Sequence, residues 1–329
     1  MTHPGKFRAL LATLRIANAP SVVSNVWLGY VVGIILQPHH FPTIGDVPVW
    51  LKPGVPIISG LLLYFAGNLA NDWFDRHWDA SRRPERALPS GLFKPRTYLI
   101  AAITSALLGL IGAFLTTVAA GIAALFIVAG VITYTWIHKR TAWSVLPMGL
   151  CRAGLYVLGF ASMLVPGDAA QAHLPGPILK NALLDASIVA TLCSGLLAYI
   201  AGLSMSARYE GMPDPPPGPR LIARSLLVVP MIAMPCWLVP FYPAYGWIGV
   251  IPFALWLTLC LTRFRQPVPV HVSALLAGIP LVDAILLLPV GIFMQIHFDG
   301  VGASAAFVAG VPLIAFVLGR LLQKVAPAT

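Results

Sequence analysis

Long apolar blocks dominate this chain, and short polar segments separate them. Blocks of this length predict membrane-spanning helices, because about 20 apolar residues are needed to cross the hydrocarbon core of a bilayer. The predicted spans lie near residues 20–37, 55–75, 97–117, 118–137, 144–165, 184–207, 222–241, 245–262, 272–294 and 302–322. A backbone in lipid must satisfy its own hydrogen bonds, so we predict an all-α fold, a polytopic membrane bundle of nine or ten transmembrane helices. The lower number applies if one segment re-enters the membrane.

The composition agrees with this fold class. The chain is 58% hydrophobic and 10% charged, with a mean hydropathy of +0.83, whereas soluble domains are about 25% charged. We expect a single integral-membrane domain over residues 1–329, with a motif loop at 68–96 and a second inner loop at 204–224. The four cysteines lie in apolar spans without paired spacing, which favours packing roles over disulfides or metal binding.

The basic residues predict the orientation in the membrane. If the N-terminus is inside, 18 of the 21 Lys and Arg residues fall at the inner ends of spans or in inner loops. Cytoplasmic loops carry such an excess of positive charge. We therefore expect an N-in, C-in protein of the bacterial inner membrane with its site facing the cytoplasm. The net charge of +10 then reflects topology and an anionic ligand, and no nucleic acid partner is expected.

One apolar block ends in a dense charged cluster at residues 68–91, which holds four of the 11 acidic residues of the chain. If this stretch is helical, one face carries Asn68, Asn71, Asp72, Asp75 and Asp79. Carboxylates at these spacings repel each other by roughly 0.2–0.5 kcal/mol per pair. A cation among them would offset that repulsion. The pattern predicts a magnesium site for a diphosphate, and the alternative is a solvated helix end with salt bridges to nearby arginines.

Three charged residues lie within predicted spans: Arg152, Asp185 and Asp283. Intramembrane charges face the bundle interior and mark functional sites by default. Arg152 could touch a diphosphate from below or pair with Asp283, and both alternatives stay open. Asp185 is near an outer end, where it could lie at the interface. His77 and His138 could act as acid–base groups, although exposed interfacial positions are favoured for both.

The run Asn71-Asp72-x-x-Asp75-x-x-x-Asp79, followed by Arg83-Pro84-x-Arg86-x-Leu88-Pro89-Ser90-Gly91, resembles the first motif of the UbiA superfamily of membrane prenyltransferases. Its place between the second and third spans also fits. Further features similar to the family are Arg15, Asn18, Lys139 and Arg140. In the second motif Glu210 and Gly211 look retained, but Arg208 and Met212 stand where aspartates are expected. This altered form resembles the EboC-like subgroup.

The resemblance implies a magnesium-dependent prenyltransferase that moves an isoprenyl group from an allylic diphosphate to a small, aromatic or otherwise lipophilic acceptor. Mg²⁺ is the expected cofactor, and the expected partners are the isoprenyl diphosphate donor, the acceptor and the lipid bilayer. The implied catalytic residues are Asp72, Asp75, Asp79 and Glu210; the metal ligands Asn68, Asn71, Asp75 and Asp79; the diphosphate-binding residues Arg83, Arg86, Lys94, Lys139, Arg140, Arg152 and Arg208; and the cavity residues Tyr64, Trp73 and Tyr134.

The chemistry of such a transfer suits these residue types. Mg²⁺ prefers one or two carboxylates together with phosphate oxygens and water, and arginine binds phosphate oxygens bidentately. Glu210 and Asp214 could equally pair with Arg208 or Arg220. The altered second motif and the intramembrane charges motivate a different function, a catalytically impaired UbiA-fold protein that binds or transports a lipophilic metabolite. A secondary transporter with proline-broken spans is the least favoured function.

Overall fold

The computed structural model describes residues 5–36, 53–138, 144–164, 175–209, 217–238 and 245–326. The regular secondary structure in these ranges is all helical, with turns and bends between the helices. The α-helices are, in chain order, α1 (Lys6–Thr13), α2 (Ala19–Leu36), α3 (Gly54–Arg82), α4 (Pro95–Thr116), α5 (Val118–Ile137), α6 (Val145–Ala161), α7 (Pro175–Tyr209), α8 (Pro217–Val228), α9 (Pro230–Ala233), α10 (Val250–Thr262), α11 (Val268–Ala277), α12 (Ile279–His297) and α13 (Gly302–Leu322). The predicted all-α bundle is confirmed.

Eight helical segments of the described chain are long and apolar enough to cross a membrane, and α6 and α10 are shorter apolar helices. Together they correspond to the ten predicted blocks. Burial separates central from peripheral helices: 78% of the first apolar span and 83% of the α11–α12 span are buried, against 17% for α4. An apolar helix that is exposed in the isolated chain is suited to contact lipid. The protein is therefore an integral membrane bundle built around α2 and α12.

Helices α2 and α6 approach each other closely because each places a glycine at the contact. A Cβ added at Gly29 would lie 2.0 Å from the carbonyl oxygen of Tyr156, and one added at Gly159 would lie 2.1 Å from that of Val26. Small residues allow such close backbone approach between membrane helices. This contact aligns the polar faces of α2 and α6 on the interior of the bundle.

Helix α3 continues through about half of the predicted motif loop at 68–96. It ends at Arg82, and Arg83, with φ −141° and ψ 60°, leaves the helical conformation before Pro84. A residue that precedes proline disfavours the α conformation, which explains the stop. The turns that follow pack Ala87 and Leu88 against α3 and α4. Within the second predicted inner loop, 204–209 ends α7, 217–224 begins α8, and 210–216 lies outside the described residues.

Candidate functional site

A cavity of about 370 Å³ opens beside the polar half of α3. Its polar lining combines amide, phenol and guanidinium groups with one thiol, from Arg15, Asn18, Tyr64, Asn68, Asn71, Arg83, Arg86, Tyr134, Cys151 and Arg152. Its apolar lining comes from α3, α5, α6, α7, α11 and α12, and includes Leu63, Ile127, Leu155 and Leu203. The cavity therefore joins a basic, polar region to an apolar chamber inside the bundle.

The acidic face predicted on α3 is present and turned into the protein. Asn71, Asp75 and Asp79 are buried, with Asp79 only 1% exposed. Residues four apart in a helix lie above one another on the same face. Asp72 lies beside this row and is partly buried. A solvated helix end would leave these side chains in water, so their burial argues against that alternative.

Arg86 holds the end of the acidic row. Its Nη1 donates to Asp79 Oδ2 over 2.8 Å and lies 3.7 Å from Asp72 Oδ1. The backbone places Arg86 there because the turn after α3 folds back on the helix. The sequence predicts a diphosphate-binding role for Arg86, and this salt bridge places its guanidinium at the edge of the cavity that it lines.

Asp75 contacts a histidine from the end of α5. His138 Nε2 lies 3.1 Å from Asp75 Oδ2, and His138 Nδ1 lies 3.1 Å from the carbonyl oxygen of Thr135. The imidazole also stacks on Tyr134, which lines the cavity. His138 was expected to be more exposed than this, and the structure instead joins it to the acidic row. His77 is exposed, as expected.

Two buried oxygens of the row suit a cation. Asn71 Oδ1 and Asp79 Oδ1 have no hydrogen-bond partner among the described residues. Asn71 Nδ2 lies 3.5 Å from Asp75 Oδ2, which turns the amide oxygen of Asn71 outward from that contact. Unpartnered buried acceptors are costly, and oxygen ligands are those Mg²⁺ selects. The residues present therefore fit the predicted metal.

In the described part of the chain no group of three or more His, Cys, Asp and Glu side chains is arranged to hold a metal alone. Mg²⁺ at a substrate phosphate generally takes one or two protein carboxylates, with phosphate oxygens and water as its other ligands. Asn68 has its Nδ2 committed to the carbonyl oxygen of Leu14 over 3.0 Å. Only its amide oxygen is left for a ligand.

The junction between α1 and α2 is tied to α3. Arg15 has φ 47° and ψ 49°, the one non-glycine residue of the described chain with positive φ. The hydroxyl of Tyr64 donates to the Arg15 carbonyl oxygen over 3.0 Å. The Asn68 side-chain amide donates to the carbonyl oxygen of the preceding residue, Leu14. Arg15 also lines the cavity. The strained turn thus places a third guanidinium at the polar region, a position that the sequence singles out only by family resemblance.

This strain predicts a difference between two substitutions. Arg15→Gly and Arg15→Ala both remove the guanidinium, but only glycine adopts the left-handed conformation without steric cost. We expect the alanine variant to be less stable than the glycine variant by about 1 kcal/mol, measured as thermal unfolding in detergent. Equal stability of the two variants would show that the left-handed conformation at residue 15 is not retained.

The predicted basic residues divide into three groups. Arg83, Arg86 and Arg152 line the cavity. Lys94 and Arg208 do not line it; both are exposed, at the start of α4 and the end of α7. Lys139 and Arg140 lie outside the described residues, and so does the acidic Glu210 of the second motif.

Among the predicted cavity aromatics, Tyr64 and Tyr134 line the cavity, and Trp73 does not. The Cζ atom of Arg76 lies 4.2 Å from the ring centroid of Trp73. Trp73 also packs against the hydrophobic cluster that contains Leu88. The geometry of α3 explains why the prediction for Trp73 was wrong. Trp73 follows Tyr64 by nine residues, and at about 100° per residue this places it on the opposite side of the helix.

Arg152 belongs to a polar network inside the bundle that also contains Asp283, the partner considered for it from the sequence. Its Nη1 donates to Ser21 Oγ over 2.9 Å and to Asn25 Oδ1 over 3.4 Å. Asn25 Nδ2 in turn donates to Asp283. Arg152 thus both lines the cavity and connects to Asp283 through an intervening amide.

Ser24 and Tyr156 complete this network by donating to Asp283. Ser21, Ser24, Asn25 and Tyr156 were not among the site residues predicted from the sequence. The available signal was their helical spacing, since Ser21 precedes Asn25, and Arg152 precedes Tyr156, by four residues in apolar helices.

Comparison with known proteins agrees with this architecture. A digeranylgeranylglyceryl phosphate synthase from Methanothrix thermoacetophila is 38% identical over 28% of this chain and 30% of its own. The bacteriochlorophyll synthase 33 kDa chain of Rhodobacter capsulatus is 31% identical over 43% and 48%. The chain thus matches less than half the length of either of these relatives.

A solved structure described as a digeranylgeranylglyceryl phosphate synthase in membranes aligns over 99% of both chains with a TM-score of 0.51 and 16% sequence identity. At this identity the likeness supports the fold. The UbiA prenyltransferase family matches residues 26–279, which is most of the chain. The likeness to the EboC-like subgroup stays a prediction. On the family match, this chain is a member of the UbiA prenyltransferase family.

Proposed function

We propose that the protein is a magnesium-dependent prenyltransferase that moves an isoprenyl group from an allylic diphosphate to a small, aromatic or otherwise lipophilic acceptor. The observation that carries this proposal is the buried row of Asn71, Asp75 and Asp79 on α3, in which Asn71 Oδ1 and Asp79 Oδ1 have no hydrogen-bond partner among the described residues. Asn71 lines the cavity, whereas Asp75 and Asp79 follow it on the same face of the helix and are not among the lining residues. The two relatives support it, since one is named for the synthesis of a digeranylgeranyl lipid phosphate.

The donor diphosphate would bind between the acidic row and the arginines of the cavity. Asp75 and Asp79, with the amide oxygens of Asn68 and Asn71, are the proposed metal ligands. Arg83 and Arg86 bind the remaining phosphate oxygens bidentately. When bound, Mg²⁺ neutralises the negative charge that develops on the departing diphosphate.

Further polar residues have supporting roles in this proposal. Asp72 would act through Arg86, which it approaches. Glu210, Lys139 and Arg140 retain their proposed roles from the family resemblance, as catalytic and phosphate-binding residues. Lys94 and Arg208 are exposed and do not line the cavity, so we assign them a smaller part in binding the diphosphate.

The apolar chamber would hold the isoprenoid chain and exclude water from the reacting carbon. A carbocation-like centre reacts with water unless the site is closed to it. Tyr64 and Tyr134 present aromatic rings to the chamber, and aromatic faces attract a neighbouring cation. We further propose, from the distribution of Lys and Arg, that both termini and this site face the cytoplasm.

Release of pyrophosphate tests the proposal. Purified protein in detergent is expected to release pyrophosphate from an allylic diphosphate of 10 to 20 carbons when Mg²⁺ and an acceptor are present, and not when Mg²⁺ is chelated. Donors of each length are compared in one assay, with isopentenyl diphosphate, which is not allylic, as the matched control. Tight donor binding without any release would contradict catalysis and favour the metabolite-binding alternative.

A further inference from the structure

Arg320 and two aromatic rings form a cluster outside the cavity, between α10, α11 and α13. Arg320 lies in the last turn of α13, and its Cζ is 5.2 Å from the ring centroid of Trp256 and 5.6 Å from that of Phe264. A Cβ added at the neighbouring Gly319 would lie 3.3 Å from a carbonyl oxygen of the turn that begins at Arg15. The cluster is therefore at the same end of the bundle as the polar region, although none of its three side chains lines the cavity.

Hydrogen bonds to α11 hold this cluster in place. Trp256 Nε1 donates to the carbonyl oxygen of Ala274 over 2.9 Å, and Gln323 Nε2 donates to that of Ser273 over 2.7 Å. Gln323 Oε1 in turn accepts from Arg320 Nη1 over 2.7 Å. Two adjacent carbonyls of α11 thus fix both the aromatic ring and the amide that orients the guanidinium. Such preorganisation lowers the entropic cost of binding a ligand.

Most of the hydrogen-bond donors of Arg320 are unused. Arginine carries five N–H donors in one plane, and stacking on aromatic faces does not engage them. Within the described chain the only hydrogen bond from the Arg320 side chain is the one from Nη1 to Gln323. The side chain is partly exposed, so the remaining donors can reach a molecule at the surface of the bundle.

The charge around Arg320 is exclusively positive on the three helices that form the cluster. Arg263 and Arg265 flank Phe264 in the chain, and Lys324 follows Arg320 by four residues. No Asp or Glu occurs on α10, α11 or α13, or in the turn that joins α10 to α11. Basic pockets between membrane helices bind the headgroups of anionic phospholipids. The cluster has the charge that such a headgroup requires.

The surface beside the cluster favours a lipid over a soluble anion. Leu255 and Leu259 of α10 are exposed, and so are Val317 and Leu321 of α13. Apolar side chains exposed along a membrane helix are suited to contact hydrocarbon chains. A phospholipid offers a phosphate and such chains in one molecule, whereas free phosphate offers no apolar part.

We propose that this cluster is a binding site for the headgroup of an anionic phospholipid. The lipid phosphate accepts hydrogen bonds from the unused donors of Arg320, and the acyl chains lie along the exposed faces of α10 and α13. Arg263 and Lys324, which are exposed, add positive charge at the rim. The site is separate from the proposed donor and metal sites, and the bound lipid stabilises the packing of α10 on α13.

Two lipids that differ only in the headgroup test this site. The full chain in a neutral detergent is titrated with dioleoylphosphatidylglycerol and with dioleoylphosphatidylcholine, and native mass spectrometry measures bound lipid. We expect the anionic lipid to bind about 10-fold more tightly, the range of a charge-assisted hydrogen bond. Arg320→Met is expected to lose this preference. Arg96→Met, at an exposed arginine of α4, is the matched control and should retain it.

A second variant tests the site without changing the packed cluster. Arg263→Met combined with Lys324→Met replaces two exposed side chains, so folding is not at risk. This double variant should lower the preference for phosphatidylglycerol at least about fivefold, the contribution of one basic residue near an anionic membrane surface. Phosphatidylglycerol is also expected to raise the melting temperature of the wild-type protein more than phosphatidylcholine does.

Equal affinity of the wild-type protein for the two lipids would overturn the proposal. A preference that survives in Arg320→Met would place the lipid elsewhere and overturn it too; if that variant is not recovered folded, survival in the double variant decides in the same way. Loss of the preference in Arg96→Met would indicate a general charge effect. Displacement of phosphatidylglycerol by an equal concentration of inorganic phosphate would assign Arg320 to a soluble anion.

Discussion

Replacement of Asp75 or Asp79 by Asn is expected to abolish magnesium-dependent binding of geranylgeranyl or farnesyl diphosphate. Each change keeps the size of the side chain and removes the negative charge that a cation needs. We expect the affinity to fall by roughly 100-fold or more, since changes even in groups that only support metal ligands cost 10–100-fold. Filter binding of radiolabelled donor, with and without a chelator, measures the effect.

Glu85→Gln is the matched control for these two variants. Glu85 belongs to the same charged segment, but it is exposed, whereas Asp75 and Asp79 are buried. Its loss of charge should leave donor binding unchanged. Unchanged affinity in both Asp75→Asn and Asp79→Asn would remove the metal assignment. A decrease of equal size in Glu85→Gln would indicate a general charge effect.

A second large effect is expected from Gly29→Ala. The added Cβ would lie 2.0 Å from a backbone oxygen of α6, and a backbone atom cannot rotate away as a flexible side chain can. Overpacking of a well-packed interior costs about 1–3 kcal/mol, and more where the backbone must move. We expect a lower melting temperature in detergent and a smaller monodisperse fraction, because α2 and α6 must separate.

Gly310→Ala provides the comparison for Gly29→Ala. Gly310 also lies within an apolar helix, α13, and the nearest atom to its added Cβ is Ile314 Cδ1 at 4.0 Å. The same chemical change there should leave the melting temperature unchanged or raise it, since alanine is the better helix former. Similar destabilisation in both variants would show that close contact between α2 and α6 is not the cause.

The sequence predicted the helical framework and the acidic row because both depend on local periodicity. The apolar blocks are long enough for a membrane, and the spacing of Asn71, Asp75 and Asp79 places them on one face of any helix that continues through them. Charge repulsion along that face predicted a bound cation, whereas the burial of the face is seen only in the structure. It needed α3 to extend to Arg82, which the stop at Pro84 allows.

Features that depend on contacts between distant helices could not be predicted in the same way. The link from Arg152 through Asn25 to Asp283 joins α6, α2 and α12, whose relative rotation no single helix specifies. The prediction that Trp73 lines the cavity was wrong. It rested on the position of Trp73 near the end of a span, which does not specify the side of α3 that the residue occupies. The left-handed Arg15 depends on Tyr64 and Asn68 from another helix.

The central claim is that the buried row on α3 holds a divalent cation together with a diphosphate. Anomalous scattering from crystals of the protein grown with Mn²⁺ and geranylgeranyl S-thiolodiphosphate tests it most directly. The account predicts metal signal along this row, at oxygens of Asp75 and of one neighbouring member, Asp79 or the Asn71 amide, and seen only together with the diphosphate. A diphosphate bound without metal at this row, or a metal signal elsewhere in the protein, would contradict it.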